Sequence, residues 1–160
     1  MRKPFDRKLF EQNDALARNA VTYHLFVNGL IAEPHTDRYG IDLVVRSPES
    51  PDVIYGVECE IKRVWTGPKL PYSTIQLPER KRKYLNNPWP IEYWILNNEL
   101  THAIVIPGGL VEAAKPVVVA NKFVRWGEKF YQIPVADCIQ LTLDRHDTDS
   151  EPSAEVGDNG

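Results

Sequence analysis

The segment Val53 to Lys62 constrains this chain most. From Val57 onward apolar and charged residues alternate strictly, so that in an extended chain Val57, Cys59 and Ile61 face one way while Glu58, Glu60 and Lys62 face the other. A period of two predicts a strand with one buried face. The same period sets two acids and a lysine beside one another on the opposite face. Upstream, Gly40-Ile41-Asp42-Leu43-Val44-Val45 reads as a second strand, and Ser47-Pro48-Glu49-Ser50-Pro51-Asp52 as the turn between the two. So short a connection favours neighbouring strands, which brings Asp42 toward Glu58 and Glu60.

The rest of the chain supplies layers for such a hairpin. Leu9, Leu16, Ala20, Tyr23 and Val27 recur at helical spacing, and Asn28-Gly29 provides the stop. After a loop from Trp65 to Tyr72, Pro78 opens a short helix through Leu85. Strands are predicted at Ile91 to Leu96 and at His102 to Ile106, then a short helix near Leu110 to Ala114. A hairpin is expected last, running from Lys122 to Arg125, turning at Trp126-Gly127 and returning from Lys129 to Ile133. This order predicts an α/β fold with a mixed sheet and helices on its faces.

With 160 residues, 42% hydrophobic and 26% charged, one domain over residues 1–143 is expected. Residues 144–160 are acidic and poor in apolar side chains, and a disordered tail is expected there. The net charge of -3 is misleading, because removing the tail's one base and six acids from the totals of 19 and 22 leaves a body at +2. No apolar run is long enough for a membrane span, and charge follows the amino terminus too soon for a signal peptide, so a cytoplasmic protein is expected. Cys59 and Cys138 lack metal-ligand spacing and read as reduced core residues. The histidines, His24, His35, His102 and His146, have no ligand spacing either, which argues against a zinc site.

Carboxylates on neighbouring strands suit a hard divalent cation such as Mg²⁺, with Mn²⁺ as a substitute. Such a cation serves phosphodiester hydrolysis by offsetting phosphate charge and acidifying a bound water. Asp42 and Glu60 are the expected carboxylate ligands, the backbone carbonyl of Ile61 a further one, and Lys62 the cation that orients the water or steadies the transition state. Glu58 shares the face but lies about 7 Å along the strand from Glu60. It is expected to be solvated or to hold a second ion through water.

Gly40-Ile41-Asp42-Leu43-Val44 followed by Val57-Glu58-Cys59-Glu60-Ile61-Lys62 resembles the motifs of the PD-(D/E)XK nuclease superfamily, most closely the archaeal Holliday-junction resolvases. In that family an opening helix leads into the strand bearing the metal-binding Asp, and the E-x-K strand follows as its hairpin partner. The resemblance covers roughly Phe10 to Leu85, about half the chain, and departs from the pattern at Ile41, where the family name has proline, and in the extra acid Glu58. It implies a restriction-endonuclease-like core and a Mg²⁺-dependent DNA endonuclease, and leaves open structure-selective junction cleavage as in the resolvases, nicking and restriction-type cutting. A catalytically inactive nucleic-acid-binding module on the same fold is the alternative. DNA is the implied partner, and a homodimer is left open.

Further residues enter as accessories. The resolvases carry an acid in the opening helix some thirty residues before the Asp, which here corresponds to Glu11, and Gln76 resembles a glutamine that many members set near the scissile phosphate. Asn13 falls on the apolar stripe of the helix, either aimed at the metal site or capping. In the basic run after the active strand, Leu77, Lys81, Tyr84 and Leu85 form the inward side by spacing, leaving Arg80, Arg82 and Lys83 exposed, either to contact phosphates or as a solvated face. Trp65 and Tyr72 either stack on bases or anchor the loop.

Overall fold

A computed structural model describes the backbone over residues 7–35, 40–121 and 124–145, and side chains over residues 14–35, 40–118 and 127–145. It opens with helix α1 (Arg7–Val27), which ends at Gly29, held at φ +86° where a side chain would be strained. Strands β1 (Ile31–Pro34), β2 (Leu43–Arg46) and β3 (Val53–Ile61) follow as an antiparallel meander. The connection out of β3 carries β4 (Thr74–Pro78) and a 3₁₀ helix (Glu79–Asn86) before β5 (Ile91–Leu96) returns parallel to β3. Then come β6 (His102–Pro107), α2 (Gly108–Ala113), β7 (Val117–Asn121), β8 (Val124–Pro134) and β9 (Ile139–Thr142).

These strands form two sheets. The larger is mixed and six-stranded, in the order β1-β2-β3-β5-β6-β9, and the smaller has the antiparallel order β4-β8-β7. The fold is therefore α/β with a mixed sheet, as the sequence predicts. Strand alternation divides the core between the two faces of the large sheet. On one face Val57 and Cys59 of β3, Trp94 and Leu96 of β5 and Ala103 and Val105 of β6 meet Ala17, Val21 and Leu25 of α1. On the other, Ile91, Tyr93 and Ile95 of β5 and Ile104 and Ile106 of β6 meet Ile75 and Leu77 of β4, Tyr131 and Ile133 of β8 and Val111 of α2. Each fully buried Val, Leu or Ile among them is worth about 1.5–3 kcal/mol. No helix among the described residues is long and apolar enough to cross a membrane.

Two sequence expectations change. The final hairpin does not turn at Trp126-Gly127, because the partner of β8 is the β-branched run at Val117–Asn121, and Asn121 pairs with Val124. Gly127, at φ +85°, instead sits within β8, where the pairing jumps from Val119–Glu128 to Asn121–Val124 and leaves a bulge. The helix expected after Pro78 is a 3₁₀ helix with no fully buried residue, preceded by the unforeseen strand β4. Of the disordered tail expected over 144–160, residues 146–160 lie outside the described residues, whereas Asp144 accepts from Asn28 Nδ2 at 2.9 Å and its amide donates to His24 Nδ1 at 3.0 Å.

Candidate functional site

Strand register decides which acids meet. Leu43 pairs with Val57, so Asp42, one residue before β2, stands beside Glu58 and Cys59, and its Oδ2 accepts the Cys59 amide at 2.9 Å. A Cβ at Gly56 would meet the Cδ1 atoms of Ile41, the neighbour of Asp42, and of Ile91, so these side chains would have to shift. Glu58 points away from α1, as its parity with the core residues Val57 and Cys59 requires. It is 8% exposed. Glu60, two residues along the same face, is more open, its side chain 40% exposed.

Above these acids lies the 3₁₀ helix, carried back over the sheet by the crossover from β3 to β5. The Tyr93 hydroxyl of β5 donates to the Lys81 carbonyl at 2.7 Å and fixes the helix to the sheet. The Lys81 ammonium then reaches Glu58 Oε2 at 2.9 Å and Glu60 Oε1 at 3.6 Å. From the other side α1 adds Asp14, whose Oδ2 lies 3.6 Å from Arg18, and Arg18 in turn stands 3.9 Å from Asp42 Oδ1. A cleft of about 500 Å³ results, lined by Asp14, Asp42, Glu58, Glu60, Ile61, Lys81, Tyr84 and, at its rim, Arg80 and Lys83.

Electrostatics in the cleft favour a bound cation or proton. Burial, then the adjacent Asp42 carboxylate, push the Glu58 carboxyl up to about 7 against the pull of Lys81. Its Oε1 is buried and accepts no hydrogen bond from the described residues. Asp14 is raised by burial and by Asp42, with Arg18 opposing. Burial works against the Lys81 ammonium, but Glu58 and Glu60 outweigh it and hold its pKa above the usual lysine value. Cys59 is pushed well up by burial and then by Asp42 and Glu58, so it remains a thiol. Among the described residues, no group of three or more His, Cys, Asp or Glu side chains is already arranged to hold a metal ion.

The structure thus brings together Asp42, Glu58, Glu60 and Ile61 of the sequence expectation, and Arg80 and Lys83 at the rim. It leaves Lys62 outside the cleft lining: β3 ends at Ile61, the Lys62 amide donates to the Leu96 carbonyl, and a turn closed by Trp65 N–H to Lys62 O takes the chain away. The cause is Trp65, which is 1% exposed and pulls this turn into the core, so it cannot stack on bases. Tyr72 is exposed. Gln76 is exposed on β4, in the smaller sheet, and does not line the cleft. Arg82 turns from the cleft, donating to the Val111 carbonyl at 3.2 Å and the Tyr131 hydroxyl at 3.4 Å. The side chains of Glu11 and Asn13 lie outside the described residues.

Three participants escaped the sequence reading of the site: Asp14, Arg18 and Lys81. Asp14 precedes the buried Ala17 and Val21 by three and seven residues, so helical spacing alone puts it on the face of α1 that meets the sheet. Lys81 was assigned to the inward side of its helix, and only its partners were missing. No family model, curated protein or solved structure matches this chain.

Proposed function

We propose that this cleft is the active site of a metal-dependent DNA endonuclease built on a restriction-endonuclease-like core. One observation carries the reading: Asp42 and Glu58, from paired strands, converge on a cleft where the buried Glu58 Oε1 accepts no hydrogen bond from the described residues. An opening helix, an Asp at the start of a strand and an acidic hairpin partner are the order that the PD-(D/E)XK resemblance implies. Hard cations take one or two carboxylates and complete their shell with water and phosphate oxygens, so the donor set fits Mg²⁺ or Mn²⁺. Asp42 and Glu58 would hold the ion, with Glu60 at the open edge of the same face.

When bound, such a cation offsets charge on the phosphate and lowers the pKa of the attacking water. The chain's own residues do the rest. Glu58 must release its proton before it can serve as a ligand, which couples metal binding to pH. Arg18 keeps Asp14 and Asp42 compatible at close range by standing between their charges. Glu60, the most open of the strand acids, can take a proton from water as the phosphorus is attacked. Arg80 and Lys83 at the rim can hold phosphates flanking the cleft, fixing the backbone without reading sequence.

The test is incubation of supercoiled plasmid with the protein and Mg²⁺ or Mn²⁺. Nicked or linear product that disappears with chelator is expected, and conversion of a closed circle requires an endonuclease. Absence of conversion with either ion would refute the reading. A second reading, a nucleic-acid-binding module without catalysis, draws on the exclusion of Lys62 from the cleft and on Lys81 already neutralising Glu58. It predicts DNA retardation independent of divalent ions and no cutting.

A further inference from the structure

We propose that Lys81, rather than Lys62, is the lysine that acts on the scissile phosphate, an inference that rests on the nuclease reading above. Hydrolysis forms a bond from the water oxygen to phosphorus and breaks the bond from phosphorus to the leaving oxygen. The water proton goes to a cleft carboxylate or to solvent, and the leaving oxygen is protonated from solvent. Negative charge accumulates on the non-bridging oxygens between these events, and a fixed ammonium beside them lowers the barrier without itself gaining or losing a proton.

Lys81 meets the requirements of that position. Its ammonium pairs with two of the carboxylates that face the cleft, Glu58 at 2.9 Å and Glu60 at 3.6 Å, so a phosphate drawn to a cation held by Asp42 and Glu58 would come up against it. An ammonium has three N–H donors, and two carboxylate partners leave the third for a phosphate oxygen. The group is also held in place. Tyr93 fixes the Lys81 carbonyl at 2.7 Å, and the ammonium lies 5.9 Å from the Tyr84 ring centre. Lys62, by contrast, does not line the cleft, because β3 stops before it.

The competing account makes Lys81 a counter-charge that merely keeps Glu58 and Glu60 buried side by side. A counter-charge loses its purpose once a divalent ion neutralises the acids, and this separates the two accounts. Single-turnover cleavage of supercoiled plasmid at saturating Mn²⁺ is compared for the wild type, Lys81→Met, Lys81→Arg and Lys62→Ala, with Mn²⁺ affinity measured by calorimetry. Lys81→Met is expected to cut about 100-fold more slowly or worse while binding Mn²⁺ at least as tightly as wild type. Lys81→Arg, which keeps the charge and guards against a variant that fails to fold, is expected to regain part of the rate. Cleavage by Lys81→Met within severalfold of wild type at saturating Mn²⁺ would overturn the inference. So would loss of activity in Lys62→Ala with its retention in Lys81→Met. A wild-type protein that cuts no plasmid defeats the nuclease reading itself, and the inference with it, before any variant is compared.

Discussion

Replacing Glu58 with glutamine should stabilise the metal-free protein, and only at neutral to alkaline pH. Folding raises this carboxyl from 4.5 to about 7, through burial and then the charge of Asp42. The folded state therefore binds the proton more tightly than the unfolded chain, and stability falls as pH rises through that interval. The contribution is whole below about 4.5 and lost above about 7, the reverse of an ordinary ion-paired carboxylate. At about 1.4 kcal/mol per decade, the gap is worth about 3 kcal/mol at pH 8. Glutamine carries no charge at any pH, so that cost vanishes, although Lys81 is left with Glu60 alone at 3.6 Å. Urea unfolding of wild type and Glu58→Gln without divalent ions should show the variant more stable by about 1–3 kcal/mol at pH 8, with the difference gone or reversed at pH 5. A difference that does not change with pH would refute the assigned burial and coupling of Glu58.

Two further perturbations probe the surroundings of the site. Gly56→Ala places a methyl against Ile41 and Ile91 beside Asp42 and should cost about 1–3 kcal/mol in chemical denaturation while weakening metal binding; an unperturbed variant would mean that Ile41 has room to move. Neutralising Arg80 and Lys83 together should reduce the salt slope of DNA binding by about 1–2, since each phosphate contact releases close to one counterion. Removing Arg82, already engaged by Val111 and Tyr131, should change that slope less, and an equal effect would show that it also reaches the backbone.

The face-sharing acids were legible in the sequence because alternation along β3 is a one-dimensional signal: Val57 and Cys59 had to go inward and Glu58 and Glu60 together to the other side. Which of the two acids meets Asp42 was not, since that depends on the register Leu43–Val57, which a spacing in sequence does not specify. Spacing favoured Glu60 as the partner of Asp42, and pairing brings up Glu58 instead. Lys62 was misplaced for a tertiary reason, the burial of Trp65 three residues later, which ends the strand and its alternation. Lys81 was legible as an inward residue, but its partners lie 21 and 23 residues earlier on another strand and are visible only once the crossover folds back. The short strands β1 and β4 carry prolines at Pro34 and Pro78 that mask them as strands. The bulge at Gly127 read as a turn because turns and bulges share the same demand for positive φ.

Calorimetric titration with Mn²⁺, in buffers of differing ionisation heat, tests the central claim most directly. If Asp42 and Glu58 hold the ion, wild type binds saturably at one principal site and releases more protons on binding at pH 6 than at pH 8, because Glu58, with its pKa pushed up to about 7, must deprotonate to bind. Glu58→Gln loses that site together with its proton release, whereas Glu60→Gln retains both. Absence of saturable binding in the wild type, or an ion kept by Glu58→Gln and lost by Glu60→Gln, would contradict the account.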